Sequence, residues 1–289
     1  MLKTVWLTEQ QNIQGGTALL LGGFDGLHIG HRRLLAFAKE YGLPVGVMTI
    51  VGGKDGEALF TLSEREEIFK NKGVDFTFEL SFSQIKDLSP EDFLGLLEEN
   101  FSPKLFVCGE DFRFGINASG TPKTLEKATR VRVEVLPLLE WQGEKVSARG
   151  IKERVKQGEV EEACACLGER FFLLGEVYKD RGIGKTLGFP TANIRYPKGK
   201  CPLKKGVYET KVSVDGIVYK GITNYGSRPT FDDETVVTES YLDGFNGDLY
   251  GRVLKVEFVR FLREIEKFDS VEDLKKQLKK DIERVRTND

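Results

Sequence analysis

Neither sign of charge is in excess in this sequence of 289 residues. Its 43 lysine and arginine residues stand against 45 aspartate and glutamate residues, which gives a formal net charge of -2. A polycationic surface is therefore excluded, and with it nucleic acid as the main partner. Any binding of phosphate groups has to come from local sites.

Cysteines and long apolar runs are also few. The four cysteines, Cys108, Cys164, Cys166 and Cys201, have neither paired CxxC spacing nor histidines nearby. The sequence therefore disfavours a structural zinc site and predicts reduced thiols. No apolar run approaches the roughly 20 residues that span a bilayer, and the N-terminal stretch MLKTVWLTEQQNIQGG lacks the apolar core of a signal peptide. We expect a cytoplasmic protein with two domains.

The first half of the chain alternates short apolar runs with amphipathic stretches. Ser63 with Glu66, and Ser89 with Asp92, are typical of helix N-terminal caps. Strands and helices at this spacing predict an α/β domain, a Rossmann-like fold with a parallel sheet whose ligands bind beyond the carboxyl ends of the strands. The predicted strands cover residues 17–23, 43–51, 74–80, 104–109 and 131–138.

The second half has a different period. From about Gly168 onward apolar and polar residues alternate, and Asp215-Gly216 separates two such runs as a hairpin turn does. This pattern predicts an antiparallel sheet closed into a small β-barrel, followed by a terminal helix. The predicted domains are residues 1–156 and 168–289, joined by a linker helix at residues 157–167.

Histidine is scarce, and the only two, His28 and His31, lie together in LGGFDGLHIGH. A helix follows a glycine-rich strand end there, so backbone N–H groups and the helix dipole favour an anion. Imidazoles at this place can donate hydrogen bonds to phosphoryl oxygens during a displacement at phosphorus. The pair resembles the HxGH signature of the nucleotidyltransferase superfamily, and we predict both histidines to be catalytic. The nucleotide-binding residues predicted in the same turn are Gly23, Phe24 and Asp25.

Two further stretches of the first half carry candidate nucleotide-binding residues. GEDFRFGINASG follows a predicted strand and contains Asp111 and Arg113. VSARGIKERV places Ser147 and Arg149 at a predicted helix start. Each stretch has a structural alternative, an ordinary loop for the first and a basic helix face for the second.

The densest pattern of the second half is VYKDRGIGKTLGFPTANI. Its GKT does not form a P-loop, because Lys179 stands where that pattern needs glycine and Pro190 falls where the helix should run. The stretch is either a solvated turn or a basic loop that wraps phosphates, followed by two oxygen ligands for magnesium, Thr191 and Asn193. The predicted nucleotide-binding residues are Lys179, Gly182, Lys185, Gly188 and Pro190.

The stretches LGFPTAN, GITNYGSRPTF, TESYLDGFNGDLYG and LREIEKFDSVEDL together closely resemble the riboflavin kinase domain. With the HxGH half included, the chain from about Leu19 to Asp281 resembles the prokaryotic bifunctional riboflavin kinase/FMN adenylyltransferase family. The resemblance implies phosphorylation of riboflavin to FMN by the C-terminal domain, and adenylylation of FMN to FAD plus pyrophosphate by the N-terminal domain. It implies ATP, Mg²⁺ and flavins as ligands, no nucleic acid or membrane partner, and a monomer or weak homo-oligomer.

The resemblance also assigns residue roles. Thr191 and Asn193 would hold the ATP–magnesium unit. Glu239 would be the general base, and Arg263 would lie near the flavin. The residue pattern agrees for the base: in the alternating strand VVTESYL, Glu239 shares a face with Tyr241, which we expect to be the barrel interior beside the phosphate loop.

The first half departs from the family in ways that keep alternatives open. MTIVGGKDGEALF lacks the Pro-His-Pro type segment that commonly follows the second strand, and only Ser147-Ala148-Arg149 remains of a serine- and threonine-rich motif. One alternative is therefore a riboflavin kinase whose adenylyltransferase domain is weakened or inactive. A flavin- or nucleotide-binding regulatory protein without chemistry is another, although the intact HxGH and PTAN sequences argue against it.

Overall fold

The structure, a computed structural model, describes residues 2–6, 13, 15–52, 56–180, 188–227 and 236–287. The chain forms two compact units, Met1–Gly150 and Ile151–Asp289. The first unit is an α/β fold and the second is a barrel, so the fold class expected for each half is confirmed.

A six-stranded parallel sheet forms the centre of the first unit. Its strands are β1 (Lys3–Trp6), β2 (Thr17–Leu21), β3 (Val45–Val51), β4 (Phe76–Ser81), β5 (Pro103–Gly109) and β6 (Arg132–Leu136). Their order is β1-β4-β3-β2-β5-β6, so the chain leaves β2 toward one edge and β5 toward the other. Such a reversal of direction opens a crevice at the carboxyl ends of the two strands. Five strands match the prediction, whereas the edge strand β1 was not predicted.

The helices of the first unit begin at polar caps. Ser89 accepts the N–H of Asp92 at 3.0 Å, with Pro90 at the first helical position, as predicted. The cap predicted from Ser63 and Glu66 is wrong, because Thr61 and Glu64 form it instead. Glu64 is buried, and its carboxylate accepts the N–H of Thr61 at 2.8 Å, which satisfies a group that burial would otherwise penalise. The helices are α1 (Ile29–Lys39), α2 (Leu62–Asn71), α3 (Phe82–Ile85), α4 (Pro90–Phe101) and α5 (Pro122–Ala128). A further helix, α6 (Ala148–Gln157), begins in the first unit and has most of its residues in the second.

Short elements complete the connection to the second unit. A small hairpin of β7 (Glu140–Trp141) and β8 (Glu144–Lys145) precedes α6. Of the predicted linker, residues 160–167 form α7 (Val160–Leu167). The predicted domain boundaries remain a prediction.

A closed six-stranded barrel forms the second unit. Its strands are β9 (Phe172–Tyr178), β10 (Thr191–Arg195), β11 (Gly206–Val214), β12 (Ile217–Ser227), β13 (Val236–Leu242) and β14 (Val253–Arg263). All pairs are antiparallel, in the order β10-β13-β12-β11-β14-β9, and β9 pairs with β10 to close the ring. The hairpin between β11 and β12 is confirmed, since Asp215 and Gly216 both have the positive φ that a tight two-residue turn requires.

A chain of buried hydroxyl groups identifies the barrel interior. Thr210 and Thr223 are hydrogen-bonded through their hydroxyls at 2.9 Å, and Thr223 and Ser240 at 2.8 Å, with all three side chains fully buried. Because side chains alternate along a strand, Glu239 lies on the opposite, outer face. The prediction that Glu239 faces the interior is therefore wrong. Aromatic rings and hydroxyls that hydrogen-bond to one another fill the interior. Burying a charged carboxylate there would cost free energy of desolvation.

The terminal helix, α8 (Val271–Thr287), packs on the outer face of the barrel. Its cap is the predicted one, with Ser270 accepting the N–H of Asp273 at 3.1 Å. Two ion pairs fix the helix, Arg263 with Asp281 at 2.8 Å and Arg286 with Asp243 at 2.6 Å. The apolar contact is made by Ile282 and Val285 with Val207, Ile222 and Leu262.

The hydroxyl chain yields a stability prediction. Thr223→Val keeps the volume of the side chain but leaves Thr210 and Ser240 each short of a buried partner. We expect the free energy of unfolding to fall by about 1–3 kcal/mol, measured by urea denaturation with far-UV circular dichroism. Val218→Ala, on the same strand but 56% exposed, should change it by less than about 0.5 kcal/mol. Equal effects of the two substitutions would contradict the assignment of the interior.

Candidate active sites

A cavity of about 820 Å³ lies at the carboxyl ends of β2 and β5, where the sheet order reverses. Arg149 is exposed on α6 and does not line it, so its nucleotide-binding role remains a prediction. The cavity does bring together most of the site residues predicted in the first half: Gly23, Phe24, Asp25, His28, His31, Asp111, Arg113 and Ser147.

Hydrogen bonds fix the orientation and tautomer of both histidines. His28 is the N-cap of α1, and its Nδ1 accepts the backbone N–H of His31 at 3.2 Å. The Nδ1 of His31 lies 3.0 Å from the carbonyl oxygen of Gly26, which can only accept, so this nitrogen carries the proton. The two rings stack with centroids 3.5 Å apart. A Cβ on Gly30 would lie 3.2 Å from the His28 ring, so glycine at this position leaves room for the imidazole.

Both histidines are neutral near pH 7. Loss of hydration, followed by repulsion from His31, lowers the pKa of His28 from 6.5 to about 2. Loss of hydration likewise lowers the pKa of His31 to about 4, although the Gly26 carbonyl and nearby carboxylates oppose the shift. Neutral His28 therefore carries a proton at Nε2 and can donate from it. Neutral His31 has a bare Nε2 and donates from that atom only after taking up a second proton.

Arg65 holds the loop that carries the histidines, and sequence reasoning missed it. This buried guanidinium donates to Asp25 at 2.8 Å and to the hydroxyl of Thr49 at 3.0 Å. Thr49 in turn donates to the carbonyl of Phe24 at 3.4 Å. Phe24 has a positive φ of 37°, a strained conformation for a residue with a side chain, and its ring lies 4.2 Å from that of His31.

Asp25 contributes to this framework as well. Its two carboxylate oxygens accept the N–H of Leu59, each at 2.9 Å, in addition to the bond from Arg65. Asp25 therefore stabilises the conformation of the cavity wall through these hydrogen bonds. Its prediction as a nucleotide ligand remains untested by this geometry.

Charged residues of two other loops face the same cavity. Asp111 pairs with Lys145, a cavity-lining residue that sequence reasoning missed. Arg113 donates to the carbonyl of Phe112 at 2.8 Å, which holds its side chain against its own loop. Ser147 accepts the N–H of Gly150 at 3.2 Å, so its predicted position at a helix start is confirmed.

Aromatic residues form an apolar part of the cavity lining that was also missed. The rings of Phe112 and Phe114 lie 5.4 Å apart, and Phe93 lies 5.5 Å from Phe114. Met48 and Ile50 extend this apolar lining. The alternation in DFRF was the available signal, since phenylalanines there alternate with Asp111 and Arg113. The site thus combines phosphate-binding chemistry with a surface suited to a flat, aromatic ligand.

In the barrel unit, several candidate kinase residues lie in one row of residues that are paired across neighbouring strands. Asn193 on β10 pairs with Glu239 on β13, and Glu239 pairs with Asn224 on β12. The row continues through Val207 on β11 to Arg263 on β14. The side chains on β10, β11, β12 and β13 lie on the outer face, because their strand neighbours point into the barrel. Arg263 lies on the same face because it pairs with Asp281 of α8. Strand pairing alone therefore brings Asn193, Glu239 and Arg263 to one level of the barrel.

The remaining candidates of this half flank the row. Thr191 shares the face of Asn193 two residues away, and Phe189 packs edge-on against Tyr241 at 5.9 Å. Arg263 is engaged by Asp281 of α8, and its flavin-binding role remains a prediction. Lys179 is exposed at the end of β9, whereas Gly188 and Pro190 lead into β10. Gly182 and Lys185 lie outside the described residues.

The chemistry of this face fits a magnesium ion. A threonine hydroxyl and an asparagine carbonyl are neutral oxygen donors, and Mg²⁺ bound to a nucleotide takes most of its other ligands from phosphate and water. Asn193 is 7% exposed and lies beside Glu239. Thr191 and Asn193 are therefore able to hold a magnesium–phosphate unit.

Comparisons with known proteins match each half of the chain to a family. The riboflavin kinase family model matches residues 167–288, and the FAD synthetase family model matches residues 10–150. The chain is 31% identical to the bifunctional riboflavin kinase/FMN adenylyltransferase of Bacillus subtilis, covering 97% of this chain and 96% of the relative. The corresponding protein of Haemophilus influenzae is also 31% identical, over 96% of each chain.

A solved structure shows the same fold. The crystal structure of a macrolide-efflux protein from Streptococcus pneumoniae has a TM-score of 0.90 to this chain at 29% identity, with 99% of each chain covered. Within the described residues, no helix has the length and apolar character needed to cross a membrane.

The histidine geometry predicts an unusual titration. Because the chain has only two histidines, NMR should show two imidazole signals, and neither should titrate between about pH 5.5 and 8. Nitrogen shifts should identify one ring protonated at Nε2 and one at Nδ1.

The same pKa shifts link stability to pH. Unfolding restores the ordinary histidine pKa of 6.5, so the unfolded chain binds protons that the folded chain excludes. The histidine contribution to stability should therefore be present above pH 6.5 and be lost as the pH falls, through about 4 for His31 and toward about 2 for His28. Titration of either ring near 6.5 in the folded protein would contradict this description.

Proposed function

Because the chain belongs to the family of bifunctional riboflavin kinase/FMN adenylyltransferases, we propose that each of its two sites performs one step of FAD synthesis. The enzyme phosphorylates riboflavin with ATP to give FMN, and adenylylates FMN with ATP to give FAD and pyrophosphate. We assign the second step to residues 1–156 and the first to residues 168–289, with residues 157–167 as the linker helix.

For adenylyl transfer, the supporting observation is a single cavity that combines paired histidines with aromatic walls. The FMN phosphate attacks the α-phosphate of ATP, and charge accumulates on the phosphoryl oxygens. The Nε2–H of His28 donates to one of these oxygens. The negative polyphosphate favours protonation of His31, whose second N–H then adds a charge-assisted bond. Lys145, Arg113 and the N-terminus of α1 supply further positive potential.

The aromatic lining gives FMN a place beside these groups. Phe112 and Phe114 offer flat apolar surface for the isoalloxazine ring. Gly23 is exposed at the cavity wall with open space around it, so a phosphate can approach the main chain there. This combination favours an active adenylyltransferase over the alternative of a domain that has lost its chemistry.

For the kinase step, the supporting observation is the row of Asn193, Glu239 and Asn224 across three strands. Magnesium, when bound, neutralises the phosphate charge as the phosphoryl group moves. Thr191 and Asn193 orient the nucleotide on the β10 side. Glu239 accepts the proton of the ribityl hydroxyl as the hydroxyl oxygen attacks the γ-phosphate, and ADP leaves.

Two wider features complete the proposal. We place the enzyme in the cytoplasm, as its composition and cysteine usage predict. We propose a monomer or weak homo-oligomer, for which the size of the particle in solution is the direct measurement.

The two sites predict opposite effects of two substitutions. Glu239→Gln should lower FMN formation from riboflavin by about 10²- to 10⁴-fold and leave FAD formation from FMN intact. His28→Asn keeps an N-cap acceptor for α1 but removes the Nε2 donor, so it should lower FAD formation by about 10²- to 10³-fold. Chromatographic time courses that start from riboflavin or from FMN measure the two steps separately. FMN formation by Glu239→Gln at the rate of the unsubstituted enzyme would overturn the assignment of the base.

Arg65 provides a further test of the adenylyltransferase site. Arg65→Lys keeps the charge but cannot reach Asp25 and Thr49 together, so the histidine loop shifts. We expect the kcat of FAD formation to fall by about 10- to 100-fold, with FMN formation unchanged and the His31 NMR signals displaced. Arg132→Lys, at an arginine whose side chain is 63% exposed, is the matched control. Unmoved His31 signals would contradict a positioning role.

A further inference from the structure

Asn224 has a buried acceptor that the described structure does not use. Its side-chain oxygen Oδ1 is inaccessible to solvent and has no hydrogen-bond partner among the residues described here. A buried carbonyl left in this state costs about 1–3 kcal/mol, and native proteins leave few such groups. The oxygen is therefore a candidate for an acceptor that a ligand satisfies.

The position of Asn224 connects it to the kinase reaction. Thr223 and Tyr225 point into the barrel, so Asn224 lies on the outer face with Glu239, its direct partner on β13. Asn193 flanks Glu239 on the other side. Neighbouring strands are about 4.8 Å apart, so the backbones of Asn193 and Asn224 are separated by roughly 10 Å with the carboxylate between them.

The hydrogen-bond acceptors at Glu239 and Asn224 indicate which kind of ligand can bind between them. Ionised Glu239 only accepts hydrogen bonds, and so does the amide oxygen of Asn224. One hydroxyl carries a single proton and cannot satisfy both, whereas a chain with several hydroxyls can donate to each. The magnesium ligands Thr191 and Asn193 lie on the opposite side of the base, which leaves the β12 side for the phosphoryl acceptor.

We infer that Asn224 positions the ribityl chain of riboflavin, by accepting a hydrogen bond at Oδ1 from a hydroxyl other than the one that is phosphorylated. The inference rests on the proposed kinase site. It orders the reaction across three strands, with the nucleotide at β10, the base at β13 and the polyol at β12. Beyond Asn224 the row continues to Val207, where the outer face is apolar and packs against α8.

The first experiment separates binding of the two substrates. Asn224→Ala should lower kcat/KM for riboflavin by about 10-fold, chiefly through KM, and leave the KM for ATP and the Mg²⁺ requirement within about twofold. An unchanged KM for ATP also shows that the barrel is intact. If the alanine variant does not fold, Asn224→Ser replaces it in the same measurements. Val218→Ala on the same strand is the matched control.

Riboflavin analogues that each lack one ribityl hydroxyl identify the contact. With the unsubstituted enzyme, one secondary-hydroxyl analogue should lose about 10-fold in kcat/KM. With Asn224→Ala that same analogue should lose almost nothing, because the contact is already absent. Equal penalties in both enzymes for every analogue would overturn the inference.

Two other results have distinct meanings. A raised Mg²⁺ requirement or ATP KM in Asn224→Ala would make the residue a nucleotide or metal ligand and would overturn the inference. Absence of FMN formation by the unsubstituted enzyme would instead refute the proposed kinase site itself.

Discussion

Hydrogen-bonded strand pairing decides where the chemistry of both units can occur. In the first unit, parallel pairing sends every strand end to the same edge, and the reversal between β2 and β5 opens the crevice there. In the second, antiparallel pairing aligns residues from different strands at one level, and closure of the barrel separates an inner from an outer face. Asn193, Glu239 and Asn224 are distant in sequence and become neighbours only through this register.

The two sites handle phosphate charge without a strongly cationic chain. In the adenylyltransferase site, the imidazoles remain neutral because they are desolvated and stacked on each other. Positive charge on the imidazoles is conditional on the ligand, since a polyphosphate favours the protonation that burial disfavours. In the kinase site that we propose, Thr191 and Asn193 would contribute neutral oxygens, Glu239 would be the base, and a bound metal would supply positive charge. Both arrangements agree with a net charge close to zero.

Much of the fold and part of each site could be predicted from the sequence. Apolar periodicity revealed five of the six parallel strands and the barrel, and the HxGH pattern identified residues that line the cavity at the ends of β2 and β5. The face of Glu239 was predicted wrongly, because alternation shows that two faces differ but not which one closes inward. Thr210, Thr223 and Ser240 are polar, and only their mutual hydrogen bonds show that they fill the interior.

Arg65, Lys145 and Asn224 escaped prediction for a related reason. Arg65 and Lys145 lie outside the stretches that carry the recognised motifs. Asn224 lies within GITNYGSRPTF, but only strand pairing places it beside Glu239. Arg65 reaches Asp25, 40 residues away, through a side chain that looks in the sequence like any helix arginine.

Energetically unfavourable features of both units lie at residues that we propose to contact substrate. Phe24 adopts a left-handed conformation, burial lowers the pKa of both imidazoles, and the buried amide oxygen of Asn224 has no hydrogen-bond partner among the described residues. Each of these features is unfavourable for folding. A bound polyphosphate would favour protonation of the imidazoles, and a bound hydroxyl would satisfy the oxygen of Asn224. Rigid surroundings offset the free-energy cost of these features. They are the Arg65 network in the first unit and the interior hydroxyl chain in the second. Because such features persist only where the surrounding structure enforces them, their coincidence with the motif residues is itself an argument that these surfaces bind phosphate and polyol.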